Sequence, residues 1–219
     1  MSLTLHMHPL ASYCWKVLIA LYENDTPFEA HLVDLSDPQV VAAFRALWPT
    51  AKMPLLVDKA RDRTVPETSI IIEYLQAAYP GPVRFIPDDP EAALRVRLLD
   101  RLFDNYVQES MQKIVGDRIR PAGAKDPHGV AHARSQLAMA YDLLEGQLAG
   151  RTWAAGEAFS LADCAAAPAL FYANKVAPLG AAHPVVSAYL DRLLARPSFA
   201  RVLQEAEPYF AMFPTEDKA

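Results

Sequence analysis

Tyr79-Pro80-Gly81-Pro82-Val83-Arg84-Phe85-Ile86-Pro87-Asp88-Asp89-Pro90 divides the chain into two styles of sequence. Its four prolines and one glycine remove backbone donors and break regular dihedrals, so the stretch reads as a linker. Strand-like runs alternate with helical patterns before it and vanish after it. This predicts two domains, residues 1–79 and 91–219, joined by residues 80–90.

Upstream, Leu3 to Met7 alternates as a strand, and a helix follows from about Tyr13, with Cys14, Val17, Leu18, Leu21 and Tyr22 on one face. Phe28 to Val33 reads as a second strand and Pro38 to Leu47 as a second helix. Pro54 to Val57 and Arg63 to Val65 flank the charged turn Asp58 to Asp62 as a hairpin, and a third helix runs from Glu67 with Ile71, Tyr74, Leu75 and Ala78 on one stripe. The pattern is that of a small α/β unit. Downstream, helices are predicted near Glu91 to Arg118, Gly129 to Ala149, Leu161 to Ala173, Val185 to Ala195 and Ser198 to Ala206. Ser160-Leu161-Ala162-Asp163 fits a capping box, with Asp in place of the usual Glu, and marks these two residues as folding determinants.

At 219 residues, with 52% hydrophobic and 21% charged side chains, the chain can bury a sizeable core. A net charge of −5 and the lack of any Lys/Arg stripe argue against nucleic acid as a partner. No apolar run approaches membrane-spanning length, so no membrane association is expected. The opening residues have neither a basic segment nor an apolar one, and no signal peptide is expected. Cys14 and Cys164 form no Cys-x-x-Cys pair, which fits a reducing, cytoplasmic setting.

The residues that carry chemistry lie upstream of the linker. Ser12 stands at a helix start, where unpaired amides and the positive dipole end favour an anion. A thiol held there ionises more readily, and a hydroxyl donating to its sulfur helps further. A serine in that place is also most often an N-cap, and local sequence leaves both roles open. Pro54, if cis, would turn the Met53 amide and carbonyl toward an extended peptide; if trans, it is an edge-strand proline. Glu67 and Thr68 suit an amino-acid head group, the carboxylate taking its ammonium and the hydroxyl with the helix amides its carboxylate. Glu67 alone reads equally as a helix-dipole residue, and Lys52 as either a carboxylate ligand or a solvated lysine.

The order and spacing of these residues carry a resemblance. Ser12-Tyr-Cys-Trp-Lys-Val-Leu-Ile-Ala-Leu21, Lys52-Met-Pro-Leu-Leu56 and Pro66-Glu-Thr-Ser-Ile-Ile-Ile-Glu-Tyr-Leu75 resemble the glutathione S-transferase family, as do Phe159-Ser-Leu-Ala-Asp-Cys164 and Arg196-Pro-Ser-Phe-Ala-Arg-Val-Leu203. The resemblance implies a thioredoxin-like N-terminal domain, a C-terminal all-helical domain and a cytosolic homodimer. The implied activity is a transferase that activates the glutathione thiolate against a small hydrophobic electrophile, as in detoxification. Glutathione is then a co-substrate, and no cofactor or metal is implied. Carried over, Ser12 stabilises the thiolate, the Met53 backbone before Pro54 pairs with the cysteinyl unit, Glu67 and Thr68 hold the γ-glutamyl end, and Lys52 holds the glycyl carboxylate.

Tyr13 and Cys14 are rivals to Ser12, since other classes use a tyrosine hydroxyl or a cysteine; Cys14 falls on the buried stripe, so the order is Ser12, Tyr13, Cys14. Trp15-Lys16-Val17 is similar to the zeta class, which includes maleylacetoacetate isomerases, although Ala11 stands where that class has its first serine. A glutathione-dependent isomerase and a non-catalytic binding protein are therefore the alternatives. Trp48 replaces an Asn common in the family. The pairs His6/His8 and His128/His132 lack a third ligand, and Tyr106, Met111 and Tyr172 read as core or as the wall of an electrophile pocket.

Overall fold

The computed structural model describes residues 2–216. Strand β1 (Leu3–Met7) leads through helix α1 (Ser12–Glu23) to β2 (Glu29–Leu32), and α2 (Pro38–Leu47) to the hairpin β3 (Leu55–Asp58) and β4 (Arg63–Pro66), which α3 (Thr68–Ala78) follows. The sheet order is β2-β1-β3-β4, with β1 parallel to β2 and antiparallel to β3, and β3 antiparallel to β4. This mixed sheet is the thioredoxin-like arrangement that the resemblance implies. A parallel pair needs a crossover, and α1 supplies it. Every residue of the central strand β1 is buried, whereas the edge strand β2 is exposed along its length.

Beyond the linker come α4 (Pro90–Leu102), α5 (Glu109–Arg118), α6 (Pro127–Leu148), α7 (Leu161–Val176), α8 (Pro184–Leu194) and α9 (Pro197–Ala206). The unbroken pattern over 91–118 predicts one helix, and the backbone does stay helical from α4 into α5. Its middle, Phe103–Gln108, widens into a π turn, which periodicity does not show. Such turns recur at functional sites.

α1 is buried more completely than its predicted single apolar stripe requires. Every side chain from Cys14 to Leu21 is buried, because α3, α7 and α9 all pack against this helix. A helix covered all round reads apolar all round, and the one charged residue in that run, Lys16, must then be paired inside. Arg196 clamps the other end of α1, donating to both carboxylate oxygens of Glu23 at 2.6 Å.

The linker has no sheet or helix to absorb its amides and carbonyls, and two carboxamides do so instead. Asn24 accepts from the Val83 amide at 2.8 Å and donates to the Val83 carbonyl at 3.0 Å, and Gln76 pairs with Ile86 in the same way. Gly81 lies so close to Asn24 that a Cβ there would sit 2.5 Å from it. The buried Phe85 side chain plugs the linker into the core, and its carbonyl accepts from the Leu161 amide at the start of α7.

At that start the capping box forms, and Asp163 does more than cap. Its carboxylate accepts from the Ser160 amide and hydroxyl at 2.8 and 2.9 Å, from the Ala154 amide at 2.8 Å and from the Tyr189 hydroxyl at 2.6 Å. The loop that follows α6, the start of α7 and the helix α8 are thereby fastened to one buried acid. Trp48 ends α2 and packs on the small cluster of Val33, Phe44 and Leu55 between that helix and the sheet.

Candidate functional site

Strand register brings the predicted residues to one end of the sheet. His6 near the end of β1 faces Leu55 at the start of β3, and Leu55 faces Pro66 at the end of β4. The loop from His8 to Ser12, the Met53–Pro54 step and the Pro66–Thr68 corner therefore leave the sheet at the same edge. The Met53–Pro54 bond is cis. Lys52 is exposed in the preceding loop, Glu67 is exposed, and Thr68 is buried.

Two helices start at this edge, and both start uncapped. The N-caps are Ala11 for α1 and Glu67 for α3, neither side chain caps its helix, and neither first turn carries an acidic residue. By contrast α2, α4 and α6 begin with Asp37, Asp89 and Asp126, each accepting a helix amide. No side chain of the protein caps the starts of α1 and α3, where free amides and the positive dipole end favour an anion.

Ser12 is the first residue of α1, one position later in the helix than the sequence suggests, and it is not an N-cap. Its hydroxyl is buried and accepts a hydrogen bond from Nε2 of Gln108, in the π turn of the helical half. Tyr13 is half-buried; burial, and then the Asp104 and Glu109 carboxylates, push its phenol well above the usual range. Cys14 is wholly buried, and burial pushes its thiol up to about 12 despite a backbone hydrogen bond at His8. A thiol so placed is a structural side chain rather than a nucleophile.

One turn into α1, Lys16 is 1% exposed and donates to Asp100 Oδ1 at 2.5 Å, Asp104 Oδ2 at 2.8 Å and Ser69 Oγ at 3.0 Å. Arg101 closes the cluster at 2.6 Å from each aspartate. Burial raises the Asp104 carboxyl above its ordinary value against the pull of the Lys16 ammonium. Because Ser69 follows Thr68, the cluster fixes the start of α3 to α1. Sequence reasoning missed Lys16, Asp100, Asp104 and Gln108. A lysine inside an apolar helix, and polar residues recurring at intervals of four in the helix beyond the linker, are the signals that point to them.

Met111 and Tyr172 are core residues, Tyr172 donating to the Leu10 carbonyl at 2.9 Å, while Tyr106 is exposed. His6 packs its ring on His31 and Phe44. Among the described residues no group of three or more His, Cys, Asp or Glu side chains is placed to hold a metal ion.

The family model described as glutathione S-transferase, N-terminal domain, matches residues 5–83, and that for the C-terminal domain matches residues 127–192. The chain belongs to the glutathione S-transferase family. It is 34% identical to FtsZ-localized protein A of Caulobacter vibrioides over 75% of this chain and 74% of that one. To the glutathione S-transferase-like protein LUC7 of a Fusarium species it is 31% identical, over 73% and 72%. A glutathione S-transferase from Methylobacillus flagellatus, solved with GSH bound, superposes with a TM-score of 0.82 at 26% identity, over 92% of this chain and 98% of that one. The uncapped helix starts therefore belong to a glutathione S-transferase fold.

Glu67 bears on this family site through its backbone. Its φ of 66° and ψ of 118° lie where a non-glycine residue is strained. Glu67→Gly is expected to raise stability by up to about 1 kcal/mol while weakening glutathione binding about tenfold or more. Thermal melts and calorimetry check the two halves of this expectation. Unchanged glutathione affinity would leave Glu67 without a ligand role.

Proposed function

We propose that the chain is a glutathione transferase that holds glutathione along this edge and activates its sulfur with the Ser12 hydroxyl. The observation that carries the reading is the state of Ser12: it sits at an uncapped helix start, and its oxygen already accepts a hydrogen bond from Gln108. Its own proton is therefore available to a sulfur. On binding, the thiol proton leaves to water, and Ser12 keeps its own proton and hydrogen-bonds through it to the thiolate; the thiolate then forms the new carbon–sulfur bond to a soft electrophile as its leaving group departs with the bonding pair, a halide as the anion or an epoxide oxygen as an alkoxide that takes a proton from water. The amides of α1 add electrostatic stabilisation, and holding both substrates adds proximity. Glu67 and Thr68 take the γ-glutamyl end, the Met53 main chain before Pro54 the cysteinyl unit, and Lys52 the glycyl carboxylate. Tyr13 is a poorer donor, because carboxylates surround it and would repel a thiolate. The exposed Ile70, Leu94 and Leu98 of α3 and α4 support a homodimer, which light scattering would check.

Binding without turnover is a second reading, favoured by the relative named for its localisation with FtsZ. A turnover screen with glutathione across aryl halides, epoxides, peroxides and maleylacetone separates the two. Conjugation of a halide or epoxide supports the transferase, and isomerised maleylacetone the zeta-type alternative. Tight glutathione binding with no turnover of any class would replace catalysis by the second reading.

A further inference from the structure

We propose that Gln108 is a positioning residue that aims the Ser12 hydroxyl, an inference that rests on the role given to Ser12 above. Gln108 and Ser12 are 2% and 6% exposed, and the carboxamide Nε2 donates to Ser12 Oγ. A serine hydroxyl offers one proton and two acceptor sites. With one acceptor site filled from the helical half, the proton points away from Gln108, and the hydroxyl loses the freedom to turn back onto it.

The orientation of the carboxamide follows from what each alternative would strand. As it stands, Oε1 is buried and finds no donor among the described residues. Turned end for end, Gln108 would strand an NH2 group with two donors and would take the Ser12 proton for its own oxygen. The first arrangement leaves one N–H and one carbonyl unmatched and the second two N–H groups, and an unmatched carbonyl is the lesser cost. A donor filling the oxygen of Ser12 also polarises its O–H, strengthening what it gives to the sulfur.

The helix carrying Gln108 runs antiparallel to α1 at this contact. One turn along α1, from Ser12 to Lys16, matches one turn back, from Gln108 to Asp104. The Lys16 and Arg101 cations hold the Asp104 carboxylate. The ionisable groups around the site are Tyr13, Asp104, Glu109, Arg101 and, from the start of α3, Glu67. Among them only an uncharged donor at 108 can fix Ser12 without placing a further negative charge beside a thiolate. The helical half thus tunes a nucleophile that the other half binds.

The test compares the parent with Gln108→Met, Gln108→Glu, Ser12→Ala and the double variant Ser12→Ala/Gln108→Met. The thiol pKa of bound glutathione is read by thiolate absorbance and its affinity by calorimetry. Gln108→Met should shift the thiolate equilibrium about threefold to tenfold toward the thiol, with affinity within about twofold. It should add nothing in the Ser12→Ala background, a non-additivity that a merely structural role would not produce. Gln108→Glu should shift it at least as far, since a carboxylate accepts the Ser12 proton and repels the thiolate. A parental pKa in Gln108→Met while Ser12→Ala raises it, or additive shifts in the double variant, would overturn the proposal and leave the Ser12 reading standing. If Ser12→Ala itself leaves the pKa unchanged, that reading fails and the proposal with it. Should Gln108→Met not fold, a parental pKa in Gln108→Glu is the overturning result.

Discussion

Ser12→Ala is expected to raise the thiol pKa of bound glutathione by about one to two units and to lower kcat/KM for conjugation roughly 10- to 100-fold. That is the effect of losing one charge-assisted hydrogen bond of about 1.5 to 3 kcal/mol to the thiolate. Glutathione affinity should change little, because Glu67, Thr68 and the uncapped amides remain. The variant also strands the buried Gln108 amide, so its melting temperature should fall, and titrations belong well below it. Tyr13→Phe and Cys14→Ala are the controls. The Tyr13 phenol is held far above neutrality and the Cys14 thiol at about 12, so neither change should move the bound thiol pKa appreciably. A covalent glutathione adduct on Cys14 that forms during turnover, or an Ser12→Ala enzyme with the parental pKa, would reassign the nucleophile's activator.

The elements were legible in the sequence wherever burial follows one periodic face. Pro38–Leu47 was readable to the residue, since an Asp before a Pro starts it and a Trp-Pro ends it. The register that gathers Ser12, Pro54 and Glu67 was legible only through resemblance, because strand pairing joins positions some forty residues apart in the chain. Less legible was anything that depends on the second half packing on the first. Cys14, Val17 and Leu18 announce the face of α1 toward the sheet, but nothing local says that α7 and α9 cover the other faces. For that reason Lys16 reads as an ordinary charged helix position, and Asp100, Asp104 and Gln108 as a polar face. Their roles exist only once the two halves meet, and Gln108 finds Ser12 across 96 positions of sequence.

Lys16→Met is expected to destabilise the fold by about 3 to 5 kcal/mol, on the order of 10 °C in melting temperature. Removing one partner of a buried ion cluster leaves the others charged and desolvated. Arg101 remains, but its side chain is 49% exposed and screened by water, and it cannot replace an ammonium that is 1% exposed. The loss should depend on pH in a definite direction. Asp104 titrates above its ordinary value of 3.8 because burial penalises its charge, so the folded state holds that proton more tightly than the unfolded chain does. Its contribution is fully present below the unfolded value and is lost as pH rises through the folded one. Taking away the Lys16 cation moves the folded value further up. The deficit of Lys16→Met should therefore be smaller at pH 5 than at pH 7.5, and adding Asp104→Asn should recover part of it at the higher pH. Chemical denaturation at both pH values measures these differences. A deficit below about 1 kcal/mol, or one that grows toward acid pH, would mean that the cluster is solvated and does not join the halves. Since the same ammonium holds Ser69 beside Thr68, glutathione affinity should fall in Lys16→Met even at temperatures where the variant is fully folded.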